Sequence, residues 1–534
     1  MLRIHVECQR ITCLYVLNSA ATVLFGLIPA RFILQTLPES CKIIILRQSL
    51  FDMDKIIARK REQQELEKLY YDGSPEFVVV YGRRRVGKTF LIREYFRDRL
   101  SFYHTALSPY DDIEAESALE RQLFNFHSSL LKYGGEDFIP PVDWMEAFER
   151  LEALLEKNRT GRRMVVFIDE LPWLDTQKSG FLPAFEHFWN GWGAGQDDLM
   201  LIVCGSATSW IEDKLLNNVG GLYGRMTYQM KLSPMTLSEC VEFYADRGLE
   251  LSLYDQLQYY MIMGGIPYYM SMLSPGKSLA ANVDLLFFNK ESRLRDEFDR
   301  LFNSLFRNPD HYKSVIRLLG RKRIGYTRKE IAESTGIPYG GGLTKIMKSL
   351  EANDFVMLYK PFGGSRDDVR YKLTDPFLMF YLNFVDGAKV TSDGYWSQFE
   401  NTPKLYAWRG FAFENLCFCH LSEIKRALGI SGVYSESSVW IQRGEDGRRS
   451  TQVDMLIDRA DRVIDLCEMK FTEGEYSVDK DEDLALRNRR QVFMGETRTR
   501  KAVHLVLITT YGLVRNRWSS VYQNVITAED LIGK

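Results

Sequence analysis

The sequence lacks both a strong net charge and a regular cysteine pattern. Its 69 Lys and Arg residues nearly balance 71 Asp and Glu residues, and the net charge of −2 gives no global field that would indicate a nucleic-acid partner. The 8 cysteines are scattered without disulfide spacing, and Cys417, Cys419 and His420 lack the second ligand pair that a zinc site needs. We therefore expect free, buried thiols in a reducing, cytoplasmic compartment.

The first fifty residues differ from the rest of the chain. The stretch from Ile11 to Leu34 is mostly apolar but is interrupted by Asn18 and Pro29. A signal peptide or a membrane anchor has this outline, and both alternatives stay open. Met53 stands directly before a charged segment and resembles a natural start. We therefore interpret residues 1–52 as an upstream extension of the reading frame and do not expect a membrane partner.

A phosphate-binding P-loop stands between an apolar strand, Phe77 to Tyr81, and a helix. The loop and the first residue after it are Gly82, Arg83, Arg84, Arg85, Val86, Gly87, Lys88, Thr89 and Phe90. The glycines allow successive N–H groups to turn toward phosphate oxygens. We expect Lys88 to reach the β- and γ-phosphates and Thr89 to contact Mg²⁺. The three arginines are expected to face solvent or a neighbour, because such loops bind mainly through backbone N–H groups and the lysine.

A second apolar strand, Met164 to Ile168, ends in Asp169 and Glu170. Such a continuous apolar run is typical of a parallel sheet buried on both faces, and ligands bind beyond the carboxyl ends of its strands. Asp169 suits a Mg²⁺ contact, while Glu170 suits positioning and deprotonating the attacking water. The pair therefore predicts hydrolysis of the bound nucleotide.

Two further positions stay open between a catalytic and a structural interpretation. A third buried strand ends at Gly205, and Ser206 or Thr208 could sense the γ-phosphate or cap a helix. Arg225 could stabilise charge in phosphoryl transfer, in cis or from a neighbouring subunit, or it could be a solvated surface residue.

These elements resemble the archaeal-type ATPase family, on the AAA+/STAND side of the P-loop NTPases, over about residues 53–300. The matching motifs are Gly82–Thr89, Asp169-Glu170, Cys204-Gly205-Ser206, Gly224-Arg225 and Gly264-Gly265-Ile266-Pro267. The resemblance implies an α/β parallel sheet with the catalytic strand next to the P-loop strand, followed by a small helical lid. It also implies an ATPase that uses ATP and Mg²⁺, with Pro267 near the adenine and with homo-oligomerisation left open.

Residues 311–372 carry 13 Lys and Arg against 6 Asp and Glu, a local excess of positive charge. Three helical segments and two strands follow one another there, and Thr327 with Glu330 forms a capping-box pattern. This order predicts a winged helix, with Thr344, Lys345 and Lys348 on the helix that would enter a DNA major groove. Winged helices also serve as protein-interaction modules, so the DNA partner is a hypothesis favoured by the charge.

The C-terminal part reads as helix, three strands, helix and strand, with Asp454 on the second strand and Glu468 and Lys470 on the third. This order and these residues resemble the PD-(D/E)xK nuclease-like fold and the domain that usually accompanies archaeal-type ATPases, although Val453 stands where the motif name has Pro. The two carboxylates could hold a divalent metal, Lys470 could activate water, and Glu414 could complete the site. A solvated acidic sheet face is the structural alternative.

The fold class expected is thus a P-loop NTPase α/β sheet with a helical lid, then a winged helix and a nuclease-like α/β domain. The predicted domains are an N-terminal extension (1–52), a P-loop ATPase domain (53–232), a helical lid (233–308), a winged helix (309–375) and a nuclease-like domain (376–534). The predicted function is an ATP-hydrolysing switch that couples nucleotide state to DNA binding and a nuclease-like domain. The alternative is a signalling or scaffold ATPase with a catalytically inactive C-terminal interaction domain.

Overall fold

The computed structural model describes residues 56–108, 115–217, 220–222, 224–306, 308–389, 394–442 and 451–533. Residues Ile57–Lys534 form one compact unit. The apolar stretch 11–34 and the extension 1–52 considered above lie outside the described residues. In the part of the chain that the structure describes, no helix is both long and apolar enough to span a bilayer.

The strands are β1 (Glu76–Tyr81), β2 (Leu100–Thr105), β3 (Met164–Asp169), β4 (Leu199–Gly205), β5 (Tyr228–Lys231), β6 (Tyr326–Thr327), β7 (Val356–Tyr359), β8 (Arg370–Leu373), β9 (Ser435–Gln442), β10 (Thr451–Arg459), β11 (Val463–Lys470), β12 (Ala502–Thr509) and β13 (Asn524–Thr527). The helices of the first half are α1 (Lys60–Tyr71), α2 (Lys88–Tyr95), α3 (Ala115–Lys132), α4 (Trp144–Lys157), α5 (Phe181–His187), α6 (Thr208–Ile211), α7 (Leu237–Asp246), α8 (Leu253–Met263), α9 (Pro267–Met270) and α10 (Leu279–Val283). Those of the second half are α11 (Glu297–Leu305), α12 (Pro309–Leu319), α13 (Arg328–Thr335), α14 (Gly341–Ala352), α15 (Pro376–Phe380), α16 (Pro403–Cys419), α17 (Leu421–Ala427), α18 (Lys480–Thr497) and α19 (Ala528–Ile532).

The first sheet is parallel throughout and has the strand order β2-β3-β4-β1-β5. This confirms the α/β prediction of a parallel sheet. The expected adjacency of the catalytic strand and the P-loop strand is wrong for β3, which ends in Asp169, because β4 lies between β3 and β1. As a result, the end of β4 stands between the two motifs and can contact both.

The central strands of this sheet are covered on both faces. Every residue of β3 and β4 is buried, as the continuous apolar runs predict. On one face, Trp144 of α4 meets the rings of Phe126 and Phe181 at centroid distances of 5.5 and 5.1 Å. Full burial of each such side chain contributes about 1.5–3 kcal/mol, so the helices on this face are held firmly against the strands.

A second, antiparallel sheet consists of three short strands in the order β6-β8-β7. Strand β6 lies between α12 and α13 in the chain, and β7 and β8 follow α14. The capping box predicted at the start of α13 is present, since the Thr327 side chain accepts from the Glu330 N–H and Glu330 accepts from the Thr327 N–H at 2.6 Å. On α14, Lys345 and Lys348 are exposed, while Thr344 is half-buried and donates to the Gly340 carbonyl at 3.1 Å. The two lysines therefore project from the outer face of this helix.

The third sheet has the order β13-β12-β11-β10-β9. Strands β9, β10 and β11 pair antiparallel, whereas β12 pairs parallel with β11 and β13 pairs parallel with β12. Helices α16 and α18 lie before and after the three antiparallel strands in the chain, in the order predicted from the sequence. Strand β13 and helix α19 were not predicted.

The cysteines within the described residues, Cys204, Cys240, Cys417, Cys419 and Cys467, are all free. Free thiols were predicted from their irregular spacing.

Candidate functional site

The loop between β1 and α2 is shaped by glycines at positive φ. Gly82 has φ +137° and Gly87, which precedes α2, has φ +95°. A Cβ atom at Gly82 would lie 2.4 Å from the carbonyl oxygen of Leu232, whose N–H donates to the Tyr81 carbonyl at 2.7 Å. Only glycine therefore fits where the chain leaving β5 passes over the start of the loop.

The side chain of Lys88 is buried inside this loop. Its Nζ donates to the carbonyl oxygens of Gly82 and Arg83 at 2.9 and 3.0 Å and to Ser206 Oγ at 3.1 Å. Burial lowers the pKa of Lys88, and the charge of Glu170 opposes that shift. Each of the three acceptors is neutral, so an anionic oxygen would be a stronger partner for this ammonium.

Thr89 and Asp169 meet at the carboxyl edge of the sheet. Thr89 Oγ1 donates to Asp169 Oδ2 at 2.9 Å, and the Cys204 thiol donates to Asp169 Oδ1 at 2.5 Å. Burial, followed by the charge of Glu170, raises the pKa of Asp169 above its ordinary value. A nearby cation would relieve this cost, and Mg²⁺ takes hydroxyl and carboxylate oxygens together with phosphates and waters. The pair therefore fits a Mg²⁺ contact.

Glu170 is held by Ser206 at the end of β4. The Ser206 N–H donates to Oε2 of Glu170 at 2.9 Å, and Ser206 Oγ donates to Oε1 at 2.7 Å. Because Lys88 also donates to Ser206 Oγ, this serine connects the P-loop lysine to the acid after β3. Glu170 itself adopts a left-handed conformation with φ +52°, which turns its carboxylate back toward β4.

The structure excludes a helix cap at Ser206 and Thr208, which was one of the two alternatives that the sequence left open. The residue before α6 is Ala207, and no side chain caps that helix. The Ser206 side chain is instead committed to Lys88 and Glu170, and Thr208 Oγ1 lies 3.2 Å from Asn353 Oδ1. The position of Ser206 at the end of a buried strand was the only signal in the sequence, and a helix cap would give the same signal.

Two of the P-loop arginines do not face solvent but pair with acids from distant segments of the chain. Arg83 is 0% exposed and forms an ion pair with Asp375, with its guanidinium 5.0 Å from the ring centroid of Phe355. Arg85 Nη1 lies 2.9 Å from Glu297 Oε2, another buried acid. Arg84, between them, is half-buried. Both acids lie far along the chain, so local sequence could not identify them.

The turn before α9 lies close to the same loop. Gly265 has φ +60°, and a Cβ there would lie 2.1 Å from the Met235 carbonyl oxygen. Pro267 is half-buried at the first position of α9, and the next residue, Tyr268, stacks under the Arg85 guanidinium at 4.2 Å. Of the two remaining predicted loop residues, Val86 is buried and Phe90 is exposed.

Arg225 is exposed in the segment before β5. Its N–H donates to the Leu222 carbonyl at 3.1 Å. No hydrogen bond or ion pair joins its side chain to the P-loop residues that the structure describes. The structure therefore does not bring this arginine into the site within one chain.

The predicted C-terminal residues also come together. Glu468 Oε1 lies 3.2 Å from Lys470 Nζ, and its other oxygen forms an ion pair with Arg489 of α18. On β10, Asp454 precedes Met455, which pairs with Cys467 of β11, the residue before Glu468. The pairing of β10 with β9 is irregular at Asp454, and the Asp454 carboxylate accepts a hydrogen bond from the Gln452 side chain at 2.5 Å.

Glu414 of α16 faces the same acids. Burial, then the charge of Asp454, raises the pKa of Glu414 to about 7, while buried Lys372 of β8 opposes the shift. Among the described residues, no group of three or more His, Cys, Asp or Glu is arranged to hold a metal ion. The acids of this region are thus balanced by lysine and arginine side chains from neighbouring elements.

Residues 56–273 match the model of a family described as an ATPase domain predominantly from Archaea. The chain is 24% identical over 398 residues to an uncharacterised protein of Methanocaldococcus jannaschii, an alignment that covers 73% of this chain and 82% of that protein. Among solved structures it is similar to a Walker-type ATPase of Pyrococcus abyssi (17% identity, TM-score 0.42, 62% of this chain and 96% of that one). It is also similar to the ORC2 protein of Aeropyrum pernix in its ADPNP–ADP complexes (14% identity, TM-score 0.37, 64% of this chain and 98% of that one).

The close approach at Gly82 yields a stability prediction with a matched control. Gly82→Ala adds a Cβ that collides with the Leu232 carbonyl, whereas Gly87→Ala adds one that meets no atom within 4 Å, although both positions have positive φ. We expect Gly87→Ala to lower the free energy of unfolding by about 1–2 kcal/mol through backbone strain alone. Gly82→Ala should lower it clearly more, as measured by urea denaturation of the full chain. Equal losses in the two variants would contradict the steric interpretation.

Proposed function

We propose that this protein, whose residues 56–273 match the model of an ATPase domain predominantly from Archaea, is a Mg²⁺-dependent, ATP-hydrolysing switch in the cytoplasm. Its nucleotide state would control a winged helix that contacts DNA and a nuclease-like domain. The observation that carries the proposal is the convergence of Lys88, Ser206 and Glu170 in one hydrogen-bonded chain, beside the Thr89–Asp169 pair. All of them stand at the carboxyl ends of adjacent strands, where parallel sheets bind ligands.

In this function the P-loop backbone from Gly82 to Thr89 cradles the phosphates, and Lys88 binds the terminal phosphate oxygens. Thr89 and Asp169 would hold Mg²⁺, which supplies charge neutralisation at the phosphates. Glu170 orients the attacking water and accepts its proton, and Ser206 holds Glu170 at the correct distance from Lys88. These residues all end or follow β1, β3 or β4 at one edge of the sheet.

The roles of two further residues, Pro267 and Arg225, rest on fewer contacts with the P-loop. Pro267 starts the short helix whose Tyr268 contacts Arg85 of the loop, which supports an adenine-side position for this turn. Arg225 is exposed and separate from the P-loop, so we propose that it acts on the ATP of a neighbouring copy. This assignment implies a homo-oligomer in which ATP lies at the subunit interface.

We propose that residues 309–375 are a winged-helix domain and that α14 contacts DNA. Lys345 and Lys348 are exposed on this helix, in the region of the chain that carries the local excess of positive charge. Exposed lysines on one helix face supply phosphate contacts, which contribute most of the non-specific affinity for DNA.

We further propose that the ATPase domain spans residues 53–232 and that its helical lid spans residues 233–308.

We propose that residues 376–534 are a nuclease-like domain with Asp454, Glu468 and Lys470 as its reactive set. Glu468 and Lys470 lie on one face of β11, as the chemistry of a metal-bound phosphodiester needs. One observation favours the alternative of an inactive interaction domain. Glu468 is already paired with both Lys470 and Arg489, and a metal ion would have to compete with these cations.

Glu170→Gln tests the ATPase assignment. The amide cannot accept the proton of the attacking water, so kcat should fall by roughly 100-fold or more, while ATP affinity is retained because Lys88 and the loop are unchanged. Phosphate release and equilibrium binding of a fluorescent ATP analogue measure the two quantities separately. Glu149→Gln, on the exposed face of α4, serves as the control. A Glu170→Gln protein that hydrolyses ATP at the wild-type rate would exclude this base.

Replacing Lys345 and Lys348 together by alanine tests the DNA contact. Each lost phosphate contact should reduce the slope of log affinity against log salt by about 1, so the double variant should bind DNA more weakly and with a shallower slope. Fluorescence anisotropy with a labelled duplex at several salt concentrations gives both values. Lys132→Ala, an exposed lysine of α3, is the matched control. Unchanged affinity and slope in the double variant would remove α14 from the interface.

Asp454→Ala tests whether the C-terminal domain is an active nuclease or an inactive interaction domain. With supercoiled plasmid and Mn²⁺ or Mg²⁺, in the presence and absence of ATP, we expect the wild type to nick and Asp454→Ala to lose nicking while keeping ATP hydrolysis. Chelation with EDTA should abolish nicking as well. Asp461→Ala, in the turn after β10, controls for a general loss of carboxylate charge. A wild-type protein that never nicks would favour the interaction domain.

A further inference from the structure

The turn after α14, Asn353-Asp354-Phe355, contacts three separate parts of the candidate ATP site. Asn353 Oδ1 lies 3.2 Å from Thr208 Oγ1, which follows β4. Lys231 Nζ, at the end of β5, lies 2.6 Å from Asp354 Oδ1. The ring of Phe355 packs under the guanidinium of Arg83 in the P-loop. Consecutive residues outside the matched ATPase domain thus touch the ends of the strands that build the site.

The ion pair between Arg83 and Asp375 adds a fourth link. Both side chains are buried, with 0% and 2% of their surface exposed. Asp375 is tied to the same turn, because its N–H donates to the Phe355 carbonyl at 3.3 Å, and it also caps α15 by accepting from Leu378 at 2.7 Å. An ion pair buried in this way is held in place, since separating the partners would leave an unpaired charge in the interior.

Two of these links continue to reacting groups, the link at Arg83 by one further hydrogen bond and the link at Thr208 by two. The Arg83 carbonyl oxygen accepts from Lys88 Nζ at 3.0 Å. The Thr208 N–H donates to the Ser206 carbonyl at 2.9 Å, and Ser206 holds Glu170 through both of its donors. A shift of the turn would therefore move the lysine and the acid relative to each other.

Asn353 also contacts α14. Asn353 is 1% exposed, and its Nδ2 donates to the Ser349 carbonyl in the last turn of α14 at 2.8 Å. The same side chain thus touches both the ATP site and the helix that carries Lys345 and Lys348. This amide therefore connects Thr208 directly to the helix.

We propose that Asn353 and Asp375 are positioning residues for the ATP site, through which the segment following α14 sets the geometry of the P-loop and of Ser206. The proposal rests on the ATP-binding function proposed above. Because coupling between two sites is reciprocal, the same contacts make nucleotide binding bias the position of α14. The ATPase domain alone would lack the partners of Arg83 and Thr208.

The test uses the full chain with Asn353→Ala, Asp375→Asn and a control, Asn282→Ala. Asn282 is also 1% exposed, and its amide donates to the Tyr259 hydroxyl at 3.1 Å within the helices that follow the ATPase sheet, so it matches Asn353 as a buried, hydrogen-bonded asparagine. Hydrogen–deuterium exchange of peptides covering residues 82–90 and 204–209 reports loop order without nucleotide. Equilibrium binding of a fluorescent ATP analogue, and kcat and KM for hydrolysis, report the site with nucleotide.

We expect faster exchange of both peptides in Asn353→Ala and Asp375→Asn, and roughly tenfold weaker ATP binding, a magnitude typical of coupled sites. Asn282→Ala should match the wild type in these readouts. Asp375→Asn leaves Arg83 buried without its counter-charge, so circular dichroism checks the folding of this variant. If it unfolds, Asn353→Ala decides the question, because that substitution removes only two neutral hydrogen bonds. The pair Thr208→Val and Asn353→Ala should be non-additive in ATP affinity.

The outcomes separate the two proposals. Exchange and affinity in Asn353→Ala and Asp375→Asn that equal those of Asn282→Ala, with a wild type that binds ATP, would overturn the positioning role alone. A wild type that binds no ATP would overturn the proposed function. In that case faster exchange of residues 82–90 and 204–209 would still support the physical link, and unchanged exchange would overturn it too.

Discussion

The buried guanidinium of Arg83 constrains the rest of the structure. A charge with none of its surface exposed costs several kcal/mol unless an opposite charge meets it, and Asp375 supplies that charge. The segment after β8 therefore has to pack against the P-loop for this arginine to be paired. Arg85 repeats the arrangement through buried Glu297. The loop is thus tied to two acids from outside the sheet.

What the sequence could predict follows from the range of the interactions. The P-loop, the buried strands and the capping box of α13 depend on residues a few positions apart, and all are present in the structure. The order of the strands and the partners of the arginines depend on contacts between distant segments, and there the expectations failed or were silent. Ser206 was found but not assigned, because a serine after a buried strand fits both a helix cap and a site residue.

The C-terminal acids show the same limit in electrostatic terms. The alternation of β11 places Glu468 and Lys470 on one face, and they lie 3.2 Å apart. Arg489 of α18 and Lys372 of β8 lie near the same acids, and no local sequence pattern predicts these contacts. Their charges determine whether the acids are available to a metal ion, so the chemistry of this region depends on tertiary contacts more than on the motif.

The serine that holds Glu170 fixes the orientation of this acid. Ser206 donates one hydrogen bond to each carboxylate oxygen of Glu170, through its N–H at 2.9 Å and its hydroxyl at 2.7 Å. Each of these oxygens keeps a second lone pair that can accept a hydrogen bond from a water molecule. A base oriented in advance in this way needs no rearrangement of its side chain before it accepts a proton.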